Sequence, residues 1–266
     1  MFQSPGQIAI QIGSLQIHWY GILIGVGIVL CYLYVLAEAK RRKVDVKHID
    51  NMAFWMVLCG VIGARLYFVL FNLPHFMANP LESFMMWKGG LAIHGALIGG
   101  AIPFFIYILR HKIPWLLYAD IIMPGILFAQ ALGRWGNFFN NEAFGAPTEL
   151  PWKLFIPPYA RPEDLAGYSY FHPTFLYESL WNFIGVLILI TLTRKIFHAN
   201  STKPAGIIFC AYLIWYGAGR FFIESLRMDS LYLGSFKAAQ AVSFLMFFGG
   251  VIGLIFWVRK HSVKTH

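Results

Sequence analysis

Seven long apolar runs follow one another along the chain, and shorter polar segments separate them. Each run holds about 20 residues, the length an α-helix needs to cross the roughly 30 Å hydrocarbon core of a bilayer. The pattern predicts an all-α polytopic membrane protein that forms a single integral membrane domain over residues 1–266. The seven predicted transmembrane spans are roughly 15–37, 51–71, 90–109, 115–133, 174–193, 205–222 and 238–258.

Lysine and arginine are divided unevenly between the segments that connect these spans. Thirteen lie in one alternate set of segments, and six lie in the other set, although the second set is much longer. Cytoplasmic loops of membrane proteins carry the excess of basic residues. We therefore expect the N-terminus outside the cytoplasm and the C-terminus inside it, as an odd number of spans requires. The richer set comprises 38–50, 110–114, 194–204 and 259–266.

The composition excludes several classes of protein. With 58% hydrophobic and 12% charged residues and a mean hydropathy of +0.61, the chain is unlike soluble domains, which are about 25% charged. The formal charge of +9 does not indicate nucleic-acid binding, because the basic residues sit in short loops between apolar runs. No charged side chain precedes Glu38, so we expect a retained first helix and no cleaved signal peptide. Three cysteines in three different runs favour packing over a disulfide or metal framework: Cys31, Cys59 and Cys210.

Two segments on the predicted outer side have structure of their own. Residues 8–17 alternate apolar and polar positions around Gly13 and Ser14, which predicts a β-hairpin ahead of the first helix. Residues 134–173 contain six prolines, and 40 residues are too many for a simple connection. We expect this segment to form a small folded head on the outer face.

Polar and ionisable side chains recur near the predicted outer ends of several spans. A charged residue at the centre of a membrane helix costs about 2.5–3.5 kcal/mol and usually marks a partner or a ligand. Arg65 lies about 9 Å below the outer end of its span, at 1.5 Å per helical residue. The others are Tyr20 in the first span, His94 in the third, Arg134 after the fourth, Glu178 in the fifth, and Tyr216, Arg220 and Glu224, which share one face of the sixth.

Together these side chains indicate a phospholipid site. Arginine presents a planar fork of donors that suits a phosphodiester, and a partly desolvated His94 has the neutral form that accepts a proton. Simpler interpretations stay open for each residue: Arg65 as an interfacial anchor, His94 as an interhelical hydrogen-bonding group, and Glu178 and Glu224 as partners of the arginines. No GxSxG, HExxH or P-loop motif is present, so lipase-like, zinc-protease and nucleotide-driven chemistry lose support.

The run from Gly133 to Gly145 closely resembles the signature of the bacterial prolipoprotein diacylglyceryl transferases. It holds Gly-Arg, then Gly-Asn-Phe, a second Asn, Glu and a closing Gly. Further blocks resemble the same family in the same order over nearly the whole chain. They are Trp19-Tyr20-Gly21, Gly63-Ala64-Arg65-Leu66, His94-Gly95-Ala96, His172-Pro173-Thr174 with Leu176-Tyr177-Glu178, and Gly219-Arg220-Phe221 with Glu224 and Arg227.

The resemblance implies a multi-pass enzyme of the bacterial inner membrane, with the active site, the N-terminus and a small head on the periplasmic side. It implies transfer of the diacylglyceryl group of phosphatidylglycerol to the lipobox cysteine of a prolipoprotein signal peptide, with release of glycerol-1-phosphate and without a metal or cofactor. Arg134 and Arg220 would bind phosphatidylglycerol, and His94 and Tyr20 would be required for catalysis. The supporting residues would be Asn137, Glu142, Gly145 and Glu224, and the depth pattern adds Tyr216 and Arg65 to the lipid site.

The proton acceptor for the incoming thiol has two candidates. His94 is the first. The alternative is that an arginine only lowers the pKa of the thiol, while solvent or phosphate accepts the proton.

Other functions fit the sequence less well. A transporter or channel needs polar groups through to both faces of the bilayer, whereas the polar set here stops in the outer third. A retinal protein needs a lysine in its last helix, and residues 238–258 contain none. A non-catalytic phospholipid-binding scaffold or a lipid transporter remains the alternative function.

Overall fold

The computed structural model describes residues 2–13, 15–86, 89–197, 205–228, 230, 232–234 and 236–262. Within these residues, seven helices are long and apolar enough to cross a membrane, and each falls on one predicted span. The prediction of a mostly helical, multi-pass membrane fold is confirmed. The helices are α1 (Trp19–Arg41), α2 (Val46–Phe71), a short α3 (Leu73–Ala78), α4 (Ile93–His111), α5 (Trp115–Asn140), α6 (Thr174–Ile196), α7 (Ile207–Leu226) and α8 (Ala238–Ser262).

The start of α1 and the end of α5 differ from the limits of the predicted spans. The first predicted span begins at Leu15, but α1 begins at Trp19 because the preceding residues form a strand. The fourth predicted span ends at Gly133, whereas α5 continues to Asn140. Hydropathy marks only the part of a helix that matches the bilayer core, so it misses polar turns that continue the same hydrogen-bonded helix. Arg134 therefore lies within α5 and does not close it.

Short strands flank the helices. They are β1 (Phe2–Gln3), β2 (Ile8–Ile12), β3 (Leu15–His18), β4 (Leu154–Phe155), β5 (Tyr170–Phe171), β6 (Tyr232–Leu233) and β7 (Phe236–Lys237). Strands β2 and β3 pair antiparallel, with Ile12 opposite Leu15 and Ile8 opposite His18, which confirms the predicted hairpin. Ser14 of the predicted turn lies outside the described residues.

The chain forms two compact units. The first unit comprises Met1–Glu38 with Leu116–His266, and the second unit comprises Ala39–Trp115. In the first unit, α5, α6 and α7 are joined by side-chain hydrogen bonds at several levels. Trp181 of α6 and Trp215 of α7 stack at 4.4 Å, and each indole N–H donates to the carbonyl of the other residue at 3.0 Å. Reciprocal bonds of this kind fix the register of two helices where the bilayer offers no water to compete.

Asp120 caps the start of α7 from within α5. Its carboxylate accepts hydrogen bonds from the backbone N–H of Gly206 at 2.7 Å and of Phe209 at 2.8 Å. The first N–H groups of a helix have no partner inside the helix, and a buried carboxylate satisfies them and complements the helix dipole. The residue at the cap is glycine, with φ of 114°, a conformation that other residues rarely adopt. Asp120 therefore caps the neighbouring helix α7.

We expect Asp120→Ala to lower the free energy of unfolding by about 1–3 kcal/mol, because it leaves two buried N–H donors without that carboxylate. The measurement is the midpoint of thermal unfolding of the purified protein in detergent. Asp164→Ala, at an exposed aspartate, is the matched control. An unchanged midpoint for Asp120→Ala would contradict the capping role.

Residues 141–173, which follow α5, form a folded segment with its own apolar core. A three-stranded sheet in the order β1-β4-β5 brings the N-terminal strand onto this segment, with β1 parallel and β5 antiparallel to β4. Two short 3₁₀ helices, Pro158–Ala160 and Glu163–Leu165, precede β5. The core includes Phe138, Phe144, Leu154, Ile156, Phe171 and Phe175. The first seven residues of the predicted head, 134–140, belong to α5, and the periplasmic position of the head stays a prediction.

In the second unit, α2 and α4 pack backbone against backbone through glycine. A Cβ atom on Gly63 of α2 would lie 3.0 Å from the Cα of Gly99 of α4, tighter than nine in ten real Cβ contacts. A Cβ on Gly99 would in turn lie 3.0 Å from the carbonyl carbon of Cys59. Small residues at such contacts let membrane helices gain dispersion energy that lipid cannot supply.

Candidate active site

Glu178 joins two arginines from different helices of the first unit. Its Oε1 lies 2.7 Å from Nη2 of Arg134 on α5, and its Oε2 accepts a hydrogen bond from Nη1 of Arg220 on α7 at 2.8 Å. Glu178 itself lies near the start of α6. Because α5 and α7 end where α6 begins, the three side chains meet at one end of the unit. The prediction that Arg134 and Arg220 lie close together is confirmed.

A second carboxylate extends this cluster along α7. Oε2 of Glu224 lies 2.6 Å from Nη2 of Arg220 and 3.8 Å from Nε of Arg227. Residues four apart on a helix share a face, which explains why Arg220 and Glu224 pair within one helix. We call Arg134, Glu178, Arg220, Glu224 and Arg227 the arginine–glutamate cluster. With all five side chains ionised, three cations face two anions and leave a net charge of +1.

The glutamate side chains of the cluster are almost fully buried, whereas two of its arginine side chains are partly exposed. The side chains of Glu178 and Glu224 are 4% and 3% exposed, whereas those of Arg134 and Arg220 are 22% and 12% exposed. An approaching molecule therefore meets arginine before it meets glutamate. Together with the excess positive charge, this arrangement favours an anionic ligand.

A series of side-chain hydrogen bonds connects Arg134 to the signature loop. Nη1 of Arg134 donates to Oδ1 of Asn137 at 3.3 Å, and Nδ2 of Asn137 donates to Oε1 of Glu142 at 2.8 Å. Asn140 donates to the same Glu142 oxygen at 3.2 Å. The side chains of Asn137 and Glu142 thus hold Arg134 in place through a fixed sequence of hydrogen bonds. The signature residues form one network that begins on the last turns of α5.

The loop after α5 turns sharply enough to place two non-glycine residues at positive φ. Asn141 has φ of 53° and Ala143 has φ of 57°. This conformation is uncommon for residues with a Cβ and is held by the surroundings. Thr174, the first residue of α6, donates its hydroxyl to the carbonyl of Ala143. The start of α6 and the signature loop are therefore fixed to each other.

Gly145 closes the signature because no side chain fits there. A Cβ at this position would lie 2.8 Å from Cβ of His172 and 2.9 Å from the carbonyl oxygen of Leu226. Its N–H donates to the carbonyl of His172 at 2.9 Å, and Gly145 pairs with Arg227 as an isolated β-bridge. This geometry gives Gly145 a structural reason for its place near the site, and its predicted contact with lipid stays a prediction.

Two tyrosines lie beside Arg134. The ring of Tyr20, near the start of α1, packs on the backbone of Gly136, where a Cβ would lie 3.0 Å from Cγ of the ring. Tyr20 also interacts electrostatically with Glu142 and Arg134. Tyr216 of α7 lies close enough to Arg134 to interact with its charge. Both tyrosines thus belong to the surroundings of the cluster, as predicted from their depth.

Arg65 belongs to the second unit and makes a different set of contacts. All five of its N–H donors reach backbone carbonyl oxygens. Nε donates to Ser83 at 2.8 Å, and Nη1 donates to Gly89 at 2.7 Å and to Gly90 at 2.9 Å. Nη2 donates to Met85 at 3.5 Å and also to Glu82. The side chain is buried. This geometry supports a role in ordering the segment between α3 and α4. The contact of Arg65 with phosphatidylglycerol stays a prediction that this geometry does not favour.

His94 also belongs to the second unit, in the first turn of α4, as its position in the third span predicted. Its side chain is exposed, and its ring centroid lies 5.9 Å from that of Tyr67. No hydrogen bond links His94 to another side chain in the part of the chain that the structure describes. The role of His94 in the reaction stays a prediction.

The structure adds two residues to the predicted site. Arg227 reaches the cluster from the end of α7, and its position three residues after Glu224 was the available signal. Asn140 contacts Glu142, and its place in the signature pointed to it. Both lie at helix ends, where sequence alone does not define which way a side chain turns.

Comparison with known proteins gives one family over nearly the whole chain. The family model described as prolipoprotein diacylglyceryl transferase matches residues 7–257. A phosphatidylglycerol–prolipoprotein diacylglyceryl transferase from Synechococcus elongatus is 46% identical over 97% of this chain and 89% of the relative. Proteins of the same name from Gloeobacter violaceus and Trichormus variabilis are 44% and 42% identical over 99% of this chain, and over 96% and 94% of their own lengths.

The fold and the cluster define a class: a multi-pass membrane protein with an arginine–glutamate cluster at its helix ends. Within that class, the match covers nearly the whole chain, and the relatives exceed 40% identity over almost all of it. The chain belongs to the prolipoprotein diacylglyceryl transferase family.

Proposed function

We propose that this protein is an enzyme that transfers the diacylglyceryl group of phosphatidylglycerol to the lipobox cysteine of prolipoproteins, the first step of lipoprotein maturation. Membership of the family supports the reaction, and the names of its relatives supply both substrates. The observation that carries the proposal is the pair Arg134 and Arg220, held by Glu178 with their guanidinium groups partly open to a ligand.

The reaction exchanges one bond to a glyceryl carbon for another. The thiolate sulfur bonds to the carbon that carries the phosphate ester, the carbon–oxygen bond of that ester breaks, and glycerol-1-phosphate leaves with the electron pair on its phosphate oxygen. The thiol proton passes to a base. The product is a thioether between cysteine and diacylglycerol, and no oxidant, reductant or nucleotide is needed.

Arg134 and Arg220 bind the phosphate and stabilise the charge that grows on it as the ester bond breaks. Preorganised donors of this kind commonly contribute 10²–10³ in rate. Glu178 and Glu224 hold the two arginines so that little reorganisation accompanies binding. Asn137 and Glu142 orient Arg134, while Tyr20 and Tyr216 line the phosphate site. This assignment rests on the contacts within the first unit.

His94 accepts the thiol proton in this proposal. A free cysteine thiol has a pKa of about 8.5, so only a small fraction is thiolate at neutral pH. Histidine is the side chain best suited to general-base catalysis near pH 7. The exposed position of His94 in the first turn of α4 supports this role.

The active site faces the periplasm in this proposal. The unequal distribution of lysine and arginine between the connecting segments supports that orientation. In that orientation the cluster would lie at the outer leaflet of the inner membrane, where the lipobox cysteine of an exported prolipoprotein arrives.

The direct test is to incubate the purified protein with phosphatidylglycerol and a synthetic lipobox peptide. We expect the peptide to gain the mass of one diacylglyceryl group on cysteine, and glycerol-1-phosphate to appear in equal amount. The adduct should survive hydroxylamine, because a thioether resists it and an acyl thioester does not. A peptide with serine at the cysteine position is the control. Lipid binding without any mass gain would instead identify a scaffold or a transporter.

A further inference from the structure

The ammonium group of Lys237 lies at the end of α7, next to the arginine–glutamate cluster. Lys237 is the last residue of β7 and directly precedes α8. Its Nζ donates to the carbonyl oxygens of Arg227 at 2.7 Å, Glu224 at 2.9 Å and Ser225 at 3.4 Å. These three bonds match the three N–H donors of a lysine ammonium.

These carbonyls lie at the C-terminal end of α7, where the carbonyl of Glu224 also accepts from the N–H of Arg227 at 3.2 Å. The last C=O groups of an α-helix have no intrahelical partner and carry the negative end of the helix dipole. A cation placed among them supplies hydrogen bonds and favourable charge together. Lys237 therefore stabilises the last turn of α7 from the side of α8.

The same turn is held on another side by the signature loop. The N–H of Ala146 donates to the carbonyl of Leu226 at 3.0 Å, and Gly145 pairs with Arg227. The end of α7 thus lies between the signature loop and the ammonium of Lys237. The residues fixed in this way include Glu224, whose carboxylate holds Arg220.

We propose that Lys237 is a positioning residue for the phosphate site, acting through the backbone at the end of α7 on Glu224 and Arg220. This inference rests on the proposed function of Arg220 as a phosphate ligand. With its three donors used by carbonyls, Lys237 is not itself the group that binds phosphate. Its contribution is to keep Arg220 where the lipid headgroup meets it.

The experiment compares Lys237→Met, which keeps length and loses all three donors, with Lys237→Arg, which keeps charge and donors. We expect Lys237→Met to raise the KM for phosphatidylglycerol about tenfold and to lower kcat as well, because a displaced Arg220 holds both the bound lipid and the leaving phosphate less well. Lys237→Arg should recover most of the affinity. Lys153→Met is the matched control, since Lys153 pairs with the exposed Glu149 on the folded segment after α5.

Hydrogen exchange gives a second readout that does not depend on turnover. Amides 225–228 should exchange faster in Lys237→Met than in the wild type, and Lys237→Arg should restore protection. An unchanged KM in Lys237→Met would overturn the positioning role, even if amides 225–228 exchanged faster in that variant. Arg220→Ala, measured in parallel, separates the two hypotheses: normal activity in that variant rejects the phosphate clamp, whereas normal KM in Lys237→Met alone rejects only the present inference.

Discussion

Replacing either Arg134 or Arg220 with alanine is expected to reduce diacylglyceryl transfer at least about 100-fold while the protein still inserts into the membrane. Each substitution removes a fork of donors from the phosphate and also leaves Glu178 with one partner. Loss of one preorganised donor group costs about 10²–10³ in rate. A buried charge that loses its partner adds to the cost.

Lysine at these positions separates charge from geometry. Arg134→Lys and Arg220→Lys keep the cation but lose the planar fork that binds two phosphate oxygens at once. We expect each lysine variant to recover only part of the lost activity. Because both arginines contact the same carboxylate, the double alanine variant should lose less than the product of the single effects.

The measurement is the initial rate of peptide modification, together with the amount of protein recovered from membranes. Arg194→Ala, at an exposed arginine near the end of α6, is the control for loss of a cation. Near-normal transfer by either alanine variant would remove the phosphate clamp from the proposed mechanism.

The positions of the seven helices could be predicted from sequence because one physical requirement dominates them. A run of about 20 apolar residues has few alternatives to a membrane helix. The end of α5 at Asn140 could not be predicted in the same way, since its last seven residues are polar enough to resemble a loop. Hydrogen bonds continue that helix beyond the hydrophobic run.

The meeting of Arg134, Glu178 and Arg220 could also be predicted, because their depth and the alternation of helix direction put them at one end of the molecule. The contacts of Arg65 could not. In the sequence Arg65 looks like Arg134, because both are cations near the end of a predicted span. Only the path of the chain between α3 and α4 shows that backbone carbonyls occupy its donors. Residue type and depth define a candidate, whereas competing local partners decide its role.

Asp120 illustrates the same point at a helix start. In the sequence Asp120 is a lone acidic residue in the apolar run 115–133, and no neighbour in the chain identifies its partner. In the structure its carboxylate accepts hydrogen bonds from the backbone N–H groups of Gly206 and Phe209 at the start of α7. Contacts between residues 86 positions apart leave no periodic trace in the sequence.

His94→Gln is expected to slow the chemical step about 10²–10⁴-fold at neutral pH, the usual contribution of a general base. Glutamine is close to histidine in size and keeps a polar group at the start of α4, but it cannot accept the proton. Phosphatidylglycerol binding should change little, because in the proposed mechanism the arginines supply the binding energy. Single-turnover measurements with the lipobox peptide isolate this step from binding and product release.

The pH dependence makes this prediction specific. A thiol with a pKa of about 8.5 is about 3% thiolate at pH 7 and about 75% thiolate at pH 9. As pH rises through that range the substrate ionises without help, so the rate of His94→Gln should rise and its deficit relative to the wild type should shrink. His75→Gln, at an exposed histidine of the second unit, is the control. A normal single-turnover rate for His94→Gln at neutral pH would exclude His94 as the base and leave solvent or the lipid phosphate as the acceptor, with an arginine lowering the thiol pKa.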